Sequence, residues 1–148
     1  DLDVLARIAL WYEGKDYAHG TGHGVGFVLS VHEGPISISK LSRIIIEPGM
    51  IISNEPGYYK NGHYGIRIEN LELVLLKKIN ELNESFLCFE NLTRVPLEKK
   101  LIDKNKLTKF EIDWINPYHK KVFSDLSKLI NKENLELIEF LKIKTSEI

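Results

Sequence analysis

Residues 18–26 read Ala18-His19-Gly20-Thr21-Gly22-His23-Gly24-Val25-Gly26, and the fold of the chain turns on them. Four glycines in nine residues favour tight turns and close backbone approach over regular structure. They also remove side chains that would otherwise fill a cleft between the two imidazoles. A His-x-x-x-His spacing suits zinc when it lies on a helix. Gly20, Thr21 and Gly22 are poor helix formers, so a helical zinc motif does not fit. Gly22, Gly24 and Gly26 lack the lysine and the spacing of a phosphate loop. What is left is a histidine-bearing turn.

Upstream, Leu2, Leu5, Ile8, Ala9 and Tyr12 recur at three- and four-residue spacing, which predicts an amphipathic helix over 2–12 that stops at Gly14. Downstream, 27–31 is apolar apart from Ser30 and is broken by His32-Glu33-Gly34-Pro35. Glu47-Pro48-Gly49 reads as a turn, followed by a strand over 50–54 that ends at Glu55-Pro56-Gly57. Residues 64–69 and 71–76 read as paired or continuous strands, and 86–95 as a further strand ended by Pro96. Beyond that the period changes. Thr108 with Glu111 forms a capping box, and Trp114, Tyr118, Val122 and Leu126 continue helically, with Pro117 as a kink or interruption. A last helix is expected over 132–142. The pattern is α+β: a mostly β domain over 1–97, then a helical extension over 98–148, joined by a lysine-rich, solvated stretch at 98–106.

The 148 residues suffice for a real hydrophobic core, and the apolar and charged fractions, 43% and 28%, are those of a soluble globular protein. A net charge of −1 gives no reason to expect nucleic acid or an anionic membrane as partner. No apolar run approaches the roughly 20 residues of a membrane span, and no signal peptide is visible. The lone Cys88 excludes an internal disulfide and fits a reducing, cytoplasmic setting. The chain opens without methionine inside a helix, as a segment cut from a longer protein would.

Of the five histidines, His19, His23 and His32 fall within fourteen positions, whereas His63 and His119 have no comparable frame and read as ordinary. Glu55 ends a strand at a Pro-Gly turn, where a carboxylate projects into a pocket. Glu69 follows the apolar Ile68, and a carboxylate in an apolar strand needs a partner. Arg67 shares a face with it. An Arg67–Glu69 pair and a metal ligand are both open explanations.

The blocks His19-Gly-Thr-Gly-His23-Gly-Val-Gly, Val31-His32-Glu33-Gly34-Pro35, Asn54-Glu55-Pro56-Gly57-Tyr58-Tyr59 and Gly65-Ile66-Arg67-Ile68-Glu69-Asn70 closely resemble successive motifs of aminopeptidase P. This is the Xaa-Pro aminopeptidase branch of the pita-bread metallopeptidases. The similarity continues through Leu92-Thr93-Arg94-Val95-Pro96, Asp113-Trp114 and Tyr118-His119, and covers roughly residues 1–120.

The resemblance implies the second half of a pita-bread catalytic domain with a helical C-terminal extension. It implies His23, Glu55 and Glu69 as metal ligands, Glu69 bridging two divalent ions. Manganese is favoured by oxygen-rich ligation, with zinc or cobalt as alternatives. Catalytic roles fall to His19, His32 and Glu55, and an outer supporting role to Arg67; Tyr58 and Tyr59 are the candidates for part of an apolar wall around the proline ring. The expected substrate is a peptide with proline at its second position. The nearest rival is prolidase, which takes dipeptides; a non-catalytic pita-bread binding module is the other. The family's two aspartate ligands lie upstream of its matching motifs and have no counterpart here. An inactive fragment with weak or no metal binding is therefore expected, lacking the N-terminal half of its domain and pairing as a homodimer through an uncovered sheet edge.

Overall fold

The computed structural model describes residues 1–28, 30–79 and 84–148. Leu29, inside the apolar run 27–31, lies outside the described residues. The chain divides into two compact units, Asp1–Thr93 and Arg94–Ile148.

In the first unit, helix α1 (Leu2–Tyr12) precedes strands β1 (Gly22–His23), β2 (Ser37–Ile38), β3 (Ile51–Asn54), β4 (Gly57–Lys60), β5 (Tyr64–Arg67), β6 (Asn70–Ile79) and β7 (Glu84–Asn91). All pairings among the described residues are antiparallel: β1 with β2, β4 with β5, and β3-β6-β7 as a three-stranded sheet. An isolated bridge between Gly24 and Ile52 ties the histidine turn to β3. The expected strand over 64–69 is shorter and pairs differently. Residues 64–67 fold back on β4 through a turn containing Gly62 at φ 70°, leaving Ile68 and Glu69 between strands. The strand expected over 86–95 ends at Asn91.

Ile36, Ile38, Ile52 and Val74 form the apolar core, with Leu2, Ile46 and Met50 packed on it. Helix α1 departs from its sequence pattern. It forms where predicted, but the residues it buries are Asp3 and Arg7, whereas Leu5 and Tyr12 are 67% and 83% exposed. The reason is a polar hub. Arg7 Nε donates to Asp3 Oδ2 at 2.9 Å, Nη1 to Asp16 Oδ1 and the Tyr17 carbonyl at 2.7 Å each, and Nη2 to the His19 carbonyl at 2.6 Å. Thr21 Oγ1 donates to Asp3 Oδ1 at 2.6 Å, so the Tyr17 hydroxyl, 2.5 Å away, donates to Thr21. The Tyr17 ring lies under the guanidinium at 3.9 Å. Burial alone would raise the Asp3 carboxyl, but the hydrogen bonds from Arg7 and Thr21 outweigh it and hold the group below its ordinary range.

The second unit carries α2 (Lys109–Leu126) and α3 (Leu135–Lys144), preceded by short 3₁₀ turns at Lys99–Leu101 and Lys104–Lys106. The capping box forms as expected: Thr108 and Glu111 satisfy each other's backbone N–H groups. Pro117 does not interrupt α2, whose face of Ile115, Tyr118, His119 and Val122 is buried and outweighs the lost backbone bond. The last helix starts three residues later than expected, where Asn134 accepts from the Leu137 N–H at 3.1 Å. Lys99 Nζ caps its end through the Ile143 and Ser146 carbonyls at 2.7 and 3.1 Å. His119 is fully buried and its Nε2 accepts from the Leu97 N–H at 3.1 Å, so that nitrogen carries no proton.

Two outcomes follow from these contacts. Arg7→Met leaves Asp3 buried without its cation and should cost about 3–5 kcal/mol in denaturant unfolding; a loss below about 1 kcal/mol would contradict the hub. Burial depresses His119 below its ordinary 6.5, so the unfolded state takes up its proton first as pH falls. Stability of the helical unit should therefore be full above 6.5 and decline below it, and His119→Gln should flatten that decline in thermal scans.

Candidate active site

Two glycines let the site assemble. A Cβ on Gly22 would lie 2.0 Å from the Ser53 carbonyl oxygen, and one on Gly24 would lie 2.2 Å from that of Glu33. Only glycine allows β1 to lie so close to β3. The Glu55 N–H donates to the Thr21 carbonyl at 2.8 Å, and the His23 N–H donates to Ser53 Oγ at 2.9 Å. Ser53, fully buried, donates its hydroxyl hydrogen bond to Glu55 Oε1 at 3.0 Å. The strand end and the histidine turn are thereby held in register.

On this frame His19, Gly20, Gly22, His23, His32, Glu55 and Arg67 line an open cleft of about 330 Å³. His23 Nε2 stands 2.9 Å from Glu55 Oε1, and Glu55 is only 8% exposed. His23 Nδ1 faces the Gly24 carbonyl oxygen at 2.8 Å, so it must carry the proton. His23 Nε2 then faces a carboxylate oxygen, a contact closed by a proton on Nε2 or, with that proton gone, by a cation held between the two atoms. The donor pair therefore fits a divalent ion, with imidazole nitrogen and carboxylate oxygen as ligands. The His32 ring stands edge-on to His23 with centroids 4.3 Å apart.

Glu69 is placed differently. It is exposed, lies between β5 and β6, and does not line the cleft. Among the described residues no three His, Cys, Asp or Glu side chains converge closely enough to hold a metal. The structure thus joins His23 with Glu55 and leaves Glu69 outside the pair. Arg67 Nη1 lies 3.5 Å from Glu55 Oε2. The hydrogen bond to Tyr59 first, then the charges of Glu55 and Glu69, raise the Arg67 guanidinium above its ordinary value.

Of the two adjacent tyrosines, Tyr59 is the one that meets His19 and Arg67 of the cleft lining. Its hydroxyl accepts from Arg67 Nε at 2.7 Å and lies 2.8 Å from His19 Nε2. Since arginine can only donate, the phenol proton goes to His19 Nε2, and His19 Nδ1 donates to the Gly20 carbonyl at 2.7 Å. Tyr58 alternates to the other face of β4 and meets Lys15 and Tyr64. Strand alternation separates adjacent tyrosines, but nothing in the sequence says which of the two faces the histidines. His63 sits in the turn between β4 and β5, away from the cleft.

Comparison with known proteins follows the same lines. A model described as Metallopeptidase family M24 matches residues 1–75, and one described as the C-terminal region of peptidase M24 matches residues 85–148. A probable Xaa-Pro aminopeptidase P of Tuber melanosporum is 46% identical over 99% of the chain and 24% of its own length. Xaa-Pro aminopeptidase 1 of Dictyostelium discoideum is 50% identical over 90% of the chain and 22% of its own length. The crystal structure of an X-prolyl aminopeptidase from Caenorhabditis elegans, described as a cytosolic enzyme with a di-nuclear active site, superposes with a TM-score of 0.91 at 38% identity. It covers 99% of the chain and 24% of that enzyme. The chain therefore spans about a quarter of the length of the relatives it matches. The α+β, pita-bread architecture with its helical extension is the one these neighbours share. With cleft, fold and motif order in agreement, the chain belongs to metallopeptidase family M24.

Proposed function

We propose that the chain supplies one part of the catalytic domain of a two-metal aminopeptidase that removes the residue preceding an N-terminal Xaa-Pro bond. The observation that carries this is the pair His23 Nε2 and Glu55 Oε1, 2.9 Å apart in a cleft lined by His19, His32 and Arg67. His23, Glu55 and Glu69 are the proposed ligands, with further carboxylates contributed by polypeptide beyond these 148 residues. Glu69 is exposed and free to take up that role once the remaining ligands are present. When bound, divalent ions, manganese foremost, lower the pKa of a shared water and polarise the scissile carbonyl.

The chain's own residues do the rest. Glu55 accepts the proton of the attacking water, its free oxygen kept in place by Arg67. His32, exposed beside His23, is the proton donor to the departing proline nitrogen, which must gain a proton to leave as an amine. His19 is held by Tyr59 and Gly20, and both of its nitrogens are engaged. It acts on the substrate carbonyl only when substrate displaces the phenol. Taken alone, the chain binds manganese weakly and is inactive. We place the enzyme in the cytoplasm. We further propose that it forms a homodimer, for which β7, at one end of the order β3-β6-β7, offers an edge.

In the complete polypeptide, Glu55→Gln and His32→Ala should each lower kcat for peptides with proline second by about 10²–10⁴ while circular dichroism stays unchanged. Undiminished turnover in either variant would overturn the assignment of roles. Calorimetric titration of the 148-residue chain with Mn²⁺ should show no tight stoichiometric binding. Tight binding would mean that these residues alone complete a site.

A further inference from the structure

Glu72 is a buried carboxyl that the cleft does not use. It lies on β6, the middle strand of β3-β6-β7, opposite Ile52 on β3 and Asn91 on β7, and is 5% exposed. Its Oε2 is buried with no hydrogen-bond partner among the described residues. The nearest positions sharing its face are Ile52 and Asn54 on β3, Asn70 and Val74 on β6, and Phe89 and Asn91 on β7, none of them charged; Lys78, six residues further along β6 on that face, is exposed. Glu90 opposes Leu73 and so turns to the other face. The charged groups that α1 turns inward, Asp3 and Arg7, are committed to each other, and Lys40 acts on Asp3. Among the described residues no cation is in place for a Glu72 carboxylate.

We propose that Glu72 is a proton-held latch in this sheet: the neutral acid seats among Ile52 and Val74, and loss of the proton loosens β3 from β6. Burial alone pushes the group from its ordinary 4.5 up to about 7, which agrees with the geometry. Between those values the unfolded chain gives up a proton that the folded chain keeps, so stability is full below 4.5 and falls as pH rises to about 7. Because β3 leads into Glu55 and β6 begins just after Glu69, the latch sets how firmly the frame of the cleft is held at neutral pH.

Thermal unfolding of the chain and of Glu72→Gln at pH 5 and pH 8 tests this. The variant should melt close to the parent at pH 5, near the start of the decline, and several degrees above it at pH 8. An equal difference at both pH values would overturn the latch. If Glu72→Gln does not fold, the ¹³C resonance of the Glu72 carboxyl in the parent decides: a midpoint near 7 supports the latch, and one near 4.5 overturns it.

Discussion

One buried guanidinium holds the first unit together. Arg7 reaches from α1 to two aspartates and to the carbonyls of Tyr17 and His19, so the backbone entering the histidine turn is fixed before the turn begins. Taking a charge out of water is costly, and here the cost is offset because every donor used finds an anion or a carbonyl oxygen. The consequence travels through Asp3 and Thr21. Thr21 bonds Asp3 through its hydroxyl, receives the Glu55 N–H at its carbonyl, and gives its own N–H to Ile38. Helix, histidine turn and the end of β3 thus share one residue. The cleft is a product of that frame.

Within the frame, the close approach of β1 and β3 converts a sequence feature into chemistry. Gly22 leaves no side chain between the strands, Gly24 leaves none against the Glu33 carbonyl, and Ser53 fills the remaining polar gap by linking the His23 backbone to the Glu55 carboxylate. A histidine whose far nitrogen is fixed by a carbonyl offers its near nitrogen as a ligand in a defined direction. The same logic orders the second layer, where Arg67, Tyr59 and His19 form a chain of one-way hydrogen bonds. Direction follows from the donor that cannot accept.

Much of this was legible in the residues. The glycine density announced the turn, Glu55 before Pro56-Gly57 announced a projecting carboxylate, and Thr108 with Glu111 announced the start of α2. The failures have physical causes. Helical periodicity predicts α1 but not the face it buries: Asp3 and Arg7, at i and i+4, bury themselves as a pair and leave Leu5 and Tyr12 exposed. Tyr58 and Tyr59 are equivalent to any local rule, and their separation depends on which face of the β4–β5 hairpin meets His19. Glu69 was read as strand-borne, but β5 pairs with β4 and leaves it in a link between strands. Pairing partners are long-range facts, and a window of sequence does not contain them.

The central claim is that His23 and Glu55 are built to share a cation. Imidazole ¹⁵N spectra recorded during titration with millimolar Zn²⁺, a diamagnetic probe, address it most directly. His23 Nε2 should shift before any other histidine nitrogen while His23 Nδ1 keeps its proton. Movement of His63 or His119 with His23 Nε2 unaffected would contradict it.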